Sequence, residues 1–150
     1  MPDPKNETQD WLKGCTCFRL RRTSRRMTQI YDAHLAAVGL TLTQYSLLAH
    51  LVRIDPPTVH GLADIMGMDR TTLTRNLKPL LAKGLLEHHT CQDRRCRRIC
   101  VTPDGKELWS QAKPLWRAAQ DEIRLRLGDQ DTAALHRLLD DTFSRLEAGE

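Results

Sequence analysis

Five cysteines stand in this 150-residue chain, at positions 15, 17, 91, 96 and 100. A thiol can fill apolar space, ligate a soft metal, or react as a thiolate with an oxidant. The odd count, and the polar start MPDPKNETQDW without an apolar h-region, argue against a secreted disulfide framework. Reduced thiols in a cytoplasmic protein are therefore expected. Cys15 and Cys17 form one group. Residues i and i+2 do not face each other on a helix, so pairing them requires a non-helical N-terminus or a second subunit. Cys91, Cys96 and Cys100 form another group, with His88 and His89 beside them. Cys91 and Cys96 flank a hairpin tip and can approach within disulfide range. Three thiolates would also suit a soft metal or metalloid, but their spacing is no established zinc pattern, and Cys100 alternates with Ile99 and Val101. Neither a metal site nor a cofactor is expected. The plain alternative stands for both groups: subunit-interface residues for Cys15 and Cys17, incidental thiols for the other three.

The second chemistry is that of positive charge. The chain carries 23 Lys and Arg against 19 Asp and Glu, a net +4. Between residues 70 and 98, however, stand Arg70, Arg75, Lys78, Lys83, Arg94, Arg95, Arg97 and Arg98, with only Glu87 and Asp93 as acids. The remainder of the chain is net acidic. Concentrated basic charge points to a polyanion partner, or to a solvated basic face. No apolar run approaches membrane-spanning length, so no membrane association is expected. Catalytic constellations are missing too: no Gly-rich phosphate loop, no His-Glu-x-x-His and no nucleophile elbow. An enzyme is not expected.

The elements that must position these groups read mostly as helix. Apolar or small residues recur every three or four positions over 10–37, and Gly39 ends that segment. A second helix runs from Thr41-Leu-Thr43, with Thr43 as candidate N-cap, to Val52, and Asp55-Pro56-Pro57 terminates it. Residues 59–66 form a short helix closed by Gly67. Asp69 caps the next, which carries Leu73, Leu77, Leu80 and Leu81, contains Pro79 and is closed by Gly84. Helix, short glycine-containing turn and helix make a helix-turn-helix. The period then changes to two: LLEHHTC and RRICVT flank a charged tip at 92–95 and read as a β-hairpin. Two helices follow, one from Thr102-Pro103-Asp104-Gly105 to Leu127 and one over 131–147.

The expected fold is mainly α with a small β-hairpin wing, a winged helix-turn-helix over 41–103. The helices of 10–38 and 104–147 carry apolar stripes without a partner in so small a domain. Homodimerisation would bury them and set two recognition helices about one DNA turn apart. On the helix after Asp69, Arg70, Thr71, Thr72, Thr74, Arg75, Asn76 and Lys78 are the candidate DNA contacts. Arg pairs bidentately with guanine, Asn with adenine, and Thr methyls touch thymine methyls. Arg94, Arg95 and Arg97 on the wing suit an A·T-rich minor groove.

The runs LTLTQYSLLAHL, LADIMGMDRTTLTRNLKPLLAKGLLE, QDRR and ICVTPDGKEL, in this order, resemble the MarR family of transcriptional regulators over roughly residues 12–147. The resemblance implies a dimeric winged-helix protein that binds a palindromic promoter site in double-stranded DNA, usually as a repressor, and releases it to a small molecule, an oxidant or a metal. It also implies that Arg95 is the wing residue inserted into the groove and that Asp93 orients the wing. Cys17-Phe18-Arg19-Leu20, continuing to Tyr31, resembles the first helix of the OhrR-type organic hydroperoxide sensors of the same family. On that resemblance Cys17 takes the place of the peroxide-reactive thiol, and Tyr31 that of a tyrosine which hydrogen-bonds its thiolate. Leu42 stands where those sensors carry a tyrosine and Arg21 where an aromatic residue is common. A small aromatic ligand or a soft metal remains an alternative effector. A winged-helix protein-interaction module without specific DNA binding is the alternative outside the class.

Overall fold

The computed structural model describes residues 14–90 and 97–148, and within them six helices and one two-stranded sheet. They divide into two compact units. One comprises the described residues up to Ile30 and from Arg117 onward; the other is Tyr31–Trp116. Both boundaries fall inside helices rather than in the loops at 39–41 and at 102, because the core of the second unit recruits residues beyond 41–103. Leu35 and Leu40 on one side, and Ala112, Leu108 and Trp116 on the other, pack into it.

In the unit Tyr31–Trp116, helix α1 (Thr16–Leu35) ends in a single 3-10 turn, Ala36–Val38, and Gly39 leaves it with φ 68°. Helix α2 (Leu42–Leu51) starts at Thr41, not Thr43. Thr41 and Gln44 form a reciprocal capping box, and Asp32 adds a carboxylate that accepts from the Leu42 amide at 2.7 Å. Its Tyr45, Leu47, Leu48, Ala49 and Leu51 are all buried, so α2 is the central helix of this unit. The segment after it lies along the sheet. Pro57 accepts from the Ile99 amide at 2.9 Å, and Thr58 bridges Arg98.

Thr58 then caps α3 (Val59–Met66) through the Gly61 amide, and Gly67 closes it with φ 59°. Helix α4 (Arg70–Ala82) follows after Asp69. Pro79 is tolerated because it lies in the last turn, where one lost backbone bond leaves the preceding turns intact. Strands β1 (Leu86–Thr90) and β2 (Arg97–Val101) pair antiparallel, with Leu86 opposite Val101 and His88 opposite Ile99. Ile99 is fully buried and anchors the hairpin to the core.

The hairpin exit is a tight junction. The Thr102 hydroxyl donates to the Gly84 carbonyl at 2.7 Å and accepts from the Gly105 amide at 3.1 Å, capping α5 (Pro103–Leu127). A Cβ on Gly105 would stand 2.1 Å from the Leu85 carbonyl oxygen, so only glycine fits there. In the other unit, Ala119 and Ile123 of α5 are buried, and Gly128 separates α5 from α6 (Asp129–Glu147). Helix α6 begins two residues earlier than its apolar period indicates, and none of its residues is buried.

Candidate nucleic-acid interface

Helix α4 is held by its two ends and one face. Asp69 accepts from the Thr72 hydroxyl at 2.6 Å and from the Thr72 amide at 2.8 Å. These two bonds, the hydroxyl first, hold its carboxyl below the usual aspartate range. Leu73, Leu77 and Leu80, spaced four and three apart, are buried. The opposite face presents Arg70, Thr71, Thr74, Arg75 and Lys78, which line one shallow concave surface of about 400 Å³.

Those five are the candidate contacts that the fold brings together. Thr72 and Asn76 do not line that surface. The Thr72 hydroxyl is engaged with Asp69, and the Asn76 amide donates to the Thr72 carbonyl at 2.9 Å; both residues are half-buried between the two faces. Thr74 donates its hydroxyl to the Arg70 carbonyl at 2.8 Å, which turns its own proton inward to the helix.

A second concavity, about 450 Å³, lies between α3, α4 and the hairpin. Its lining includes Arg70 and Thr74 again, with Thr58, His60, His88 and Arg97. The basic face of α4 is thus continuous with the hairpin through Arg97. Arg98, on the other face of β2, is structural: its guanidinium donates to the Pro56 carbonyl at 2.6 Å. His60 and His88 were not among the contacts read from sequence. The alternation of β1 was the available signal, since it puts His88 on the Ile99 side, toward α4. Asp93, Arg94, Arg95, Cys91 and Cys96 lie outside the described residues. Cys100 is half-buried on the face of the hairpin that carries Glu87 and His89.

In the other unit, Cys15 sits just before α1. Its sulfur accepts from the Phe18 amide at 3.4 Å and its carbonyl from the Arg19 amide at 3.2 Å, the bonding of an N-cap residue. Cys17 lies in the first turn. Both thiols are exposed and line one concavity with Phe18, Arg21, Arg22 and Arg25, where the Arg22 guanidinium lies 5.8 Å from the centre of the Phe18 ring. Tyr31 is in the unit 31–116, where it packs against Trp116 with ring centres 6.3 Å apart, and burial raises its hydroxyl above the usual tyrosine range.

Among the described residues, no group of three or more His, Cys, Asp or Glu could hold a metal, and no helix is long and apolar enough to cross a membrane. Residues 38–95 match the sequence model of the MarR family. The chain is 37% identical to the M. tuberculosis transcriptional regulator MosR, solved in complex with DNA, over 91% of this chain and 98% of that one, with a TM-score of 0.78. The chain belongs to the MarR family. It is a MarR-type transcriptional regulator, and its relatives are regulators rather than enzymes. The transcriptional repressor CouR, solved on a 23-mer DNA duplex, is 25% identical over 87% of this chain and 94% of its own, with a TM-score of 0.78. E. coli MarR in its apo form shares the MarR winged-helix fold at 21% identity and a TM-score of 0.71, over 85% of this chain and 96% of its own.

Proposed function

We propose that this MarR-type regulator is a homodimeric repressor that binds a palindromic promoter site in double-stranded DNA and is released by oxidation of its N-terminal thiols. One observation carries the DNA reading: the exposed face of α4 and the base of the hairpin form one cationic surface through Arg70, Arg75, Lys78 and Arg97. Arg70 and Arg75 are the base-reading candidates, Thr71 and Thr74 offer methyl and hydroxyl groups, and Lys78 suits a phosphate. Arg94 and Arg95 would extend the surface into a minor groove, with Asp93 orienting the tip, as the family resemblance implies. That MosR and CouR have each been solved on DNA supports this reading. For the dimer, the support is α6, whose Leu138, Phe143 and Leu146 are exposed.

The redox part rests on Cys17 and Cys15 sharing one concavity with three arginines. Neighbouring guanidinium charge favours attack of a thiolate on a peroxide. The Cys17 thiolate takes the terminal oxygen of a hydroperoxide, the O–O bond breaks, and the alkoxide leaves as an alcohol after taking a proton. Cys17 is then a sulfenic acid, which a thiol such as Cys15 condenses with, expelling water. Cys15 lies outside the helix proper, which relieves the i,i+2 restriction on that second step. By the family resemblance, Tyr31 is the tyrosine that would hydrogen-bond the Cys17 thiolate.

The test is a titration of the reduced protein against an A·T-rich palindrome and a scrambled duplex over a range of salt. Preference for the palindrome and a steep salt dependence are expected. Equal affinity for every duplex would reject a specific regulator. Arg95→Ala should weaken binding by about 1–3 kcal/mol and flatten the A·T preference. Organic hydroperoxide should release DNA from the wild type but not from Cys17→Ser; release that persists in that variant rejects Cys17 as the sensor and leaves an aromatic ligand or a soft metal to be tried in the same assay.

A further inference from the structure

We propose that the groove between α3, α4 and the hairpin seats a backbone phosphate of the bound duplex, held by His60 and His88 together with Arg70 and Arg97, so that DNA binding takes up protons. The inference rests on the DNA-binding reading and adds a proton-linked contact to it. Four cationic or protonatable side chains from four elements line this one concavity: His60 from α3, Arg70 from α4, His88 from β1 and Arg97 from β2. No carboxylate is among its described lining residues. Such a convergence of N–H donors is the arrangement that binds a phosphate, and Arg and His⁺ supply charge-assisted hydrogen bonds to it.

The surroundings of each histidine set the direction of the coupling. His60 faces Arg70, His88 and Arg97 across the groove, and Asp64 one turn along its own helix at 3.6 Å. That pair is mostly solvent-exposed, so water screens it. His88 faces His60, Arg70 and Arg97. Glu87 and His89, its neighbours along β1, lie on the opposite face of the hairpin and pair with each other at 3.0 Å. A phosphate seated among these four side chains brings negative charge to both imidazoles and favours the imidazolium. Histidine is the side chain whose charge changes between about pH 5 and 8, so the linkage falls in the working range.

The experiment is DNA binding by the full-length reduced protein, read by fluorescence anisotropy with one palindromic duplex, at about pH 6 and about pH 8 and constant ionic strength in a phosphate-free buffer. The wild type should bind roughly tenfold more tightly at the lower pH, the scale of one charge-assisted hydrogen bond. The double variant His60→Gln, His88→Gln should bind nearly equally at both. His60→Lys keeps a charge at both values and should regain at high pH most of the affinity the wild type has at low pH. Both positions are exposed, and a far-ultraviolet spectrum confirms that each variant is folded. A wild type that binds the palindrome equally at both pH values overturns the proposal, as does a double variant that keeps the wild-type ratio. Failure to bind the palindrome at either pH overturns instead the DNA-binding reading beneath it.

Discussion

In α4, Leu73, Leu77 and Leu80 are buried and the opposite face is cationic, whereas in α6 no residue is buried and Leu138, Phe143 and Leu146 are 65%, 67% and 74% exposed. Both helices carry an apolar stripe at helical spacing. In α4 the stripe is consumed by its own unit, against α2, α3 and β1, and the polar face is left to bind something else. In α6 the stripe itself is what is left over. Each fully buried leucine contributes about 2 kcal/mol relative to an exposed one. A helix that forgoes this in one chain is suited to recover it against a second copy. The same periodicity therefore carries two meanings, and burial distinguishes them.

The largest effect is expected at the junction that fixes α5 beside the hairpin. Gly105→Ala would drive a Cβ into the Leu85 carbonyl, and a loss of about 4 kcal/mol or more, read as collapse of the thermal transition, is expected. Next in size, Leu73→Ala should cost about 3 kcal/mol in urea unfolding, because its site is fully buried. The exposed counterpart Phe143→Ala should leave the unfolding of the unit Tyr31–Trp116 unchanged.

The double variant Leu138→Asp, Phe143→Asp places two charges on the exposed stripe of α6. Sedimentation should show a monomer, with affinity for the palindrome reduced about 100-fold and that for a single half-site little changed. A dimer that survives both charges would mean that α6 does not form the interface. Smaller again, Arg75→Ala should weaken operator binding about tenfold with no change in melting temperature, since its side chain lies on the face that the fold does not use.

The smallest effect concerns the cap of α4. Thr72 holds the Asp69 carboxyl below its ordinary value of 3.8, so the ionised cap adds stability at every pH above that value. The contribution is lost as the pH falls through the still lower folded-state value. Asp69→Asn should thus be less stable than wild type at neutral pH, with the difference shrinking in acid below that window. A difference that persists undiminished in strong acid would contradict the assignment.

Much of this was legible in the order of residues. Capping residues and glycines mark helix ends locally, which is why Thr58, Gly67, Asp69 and Gly128 fall at boundaries. Residue type alone leaves the start of α2 open by two residues, because Thr41 and Thr43 are equally good caps. Gln44, which completes the box only from Thr41, decides between them. Within α4, residue type alone put seven side chains toward DNA. Local hydrogen bonds engage the Thr72 hydroxyl and the Asn76 amide nitrogen within the helix, and propensity does not carry that information. His60 and His88 stand far apart in sequence and line one groove because Thr58 and Pro57 lie along β2, bringing the start of α3 to the hairpin.

By itself, the sequence determined the element order, the helix-turn-helix, the hairpin and the concentration of positive charge between them. These follow from periodicity, caps and local composition, which act over a few residues. The tertiary structure alone decided which cations share a surface, that Arg70 and Thr74 join the recognition face to the hairpin groove, and that Gly105 sits against a carbonyl. It likewise decided that the stripe of α4 is spent and that of α6 is not. Those are outcomes of long-range packing, where the position of one element fixes what another can still reach.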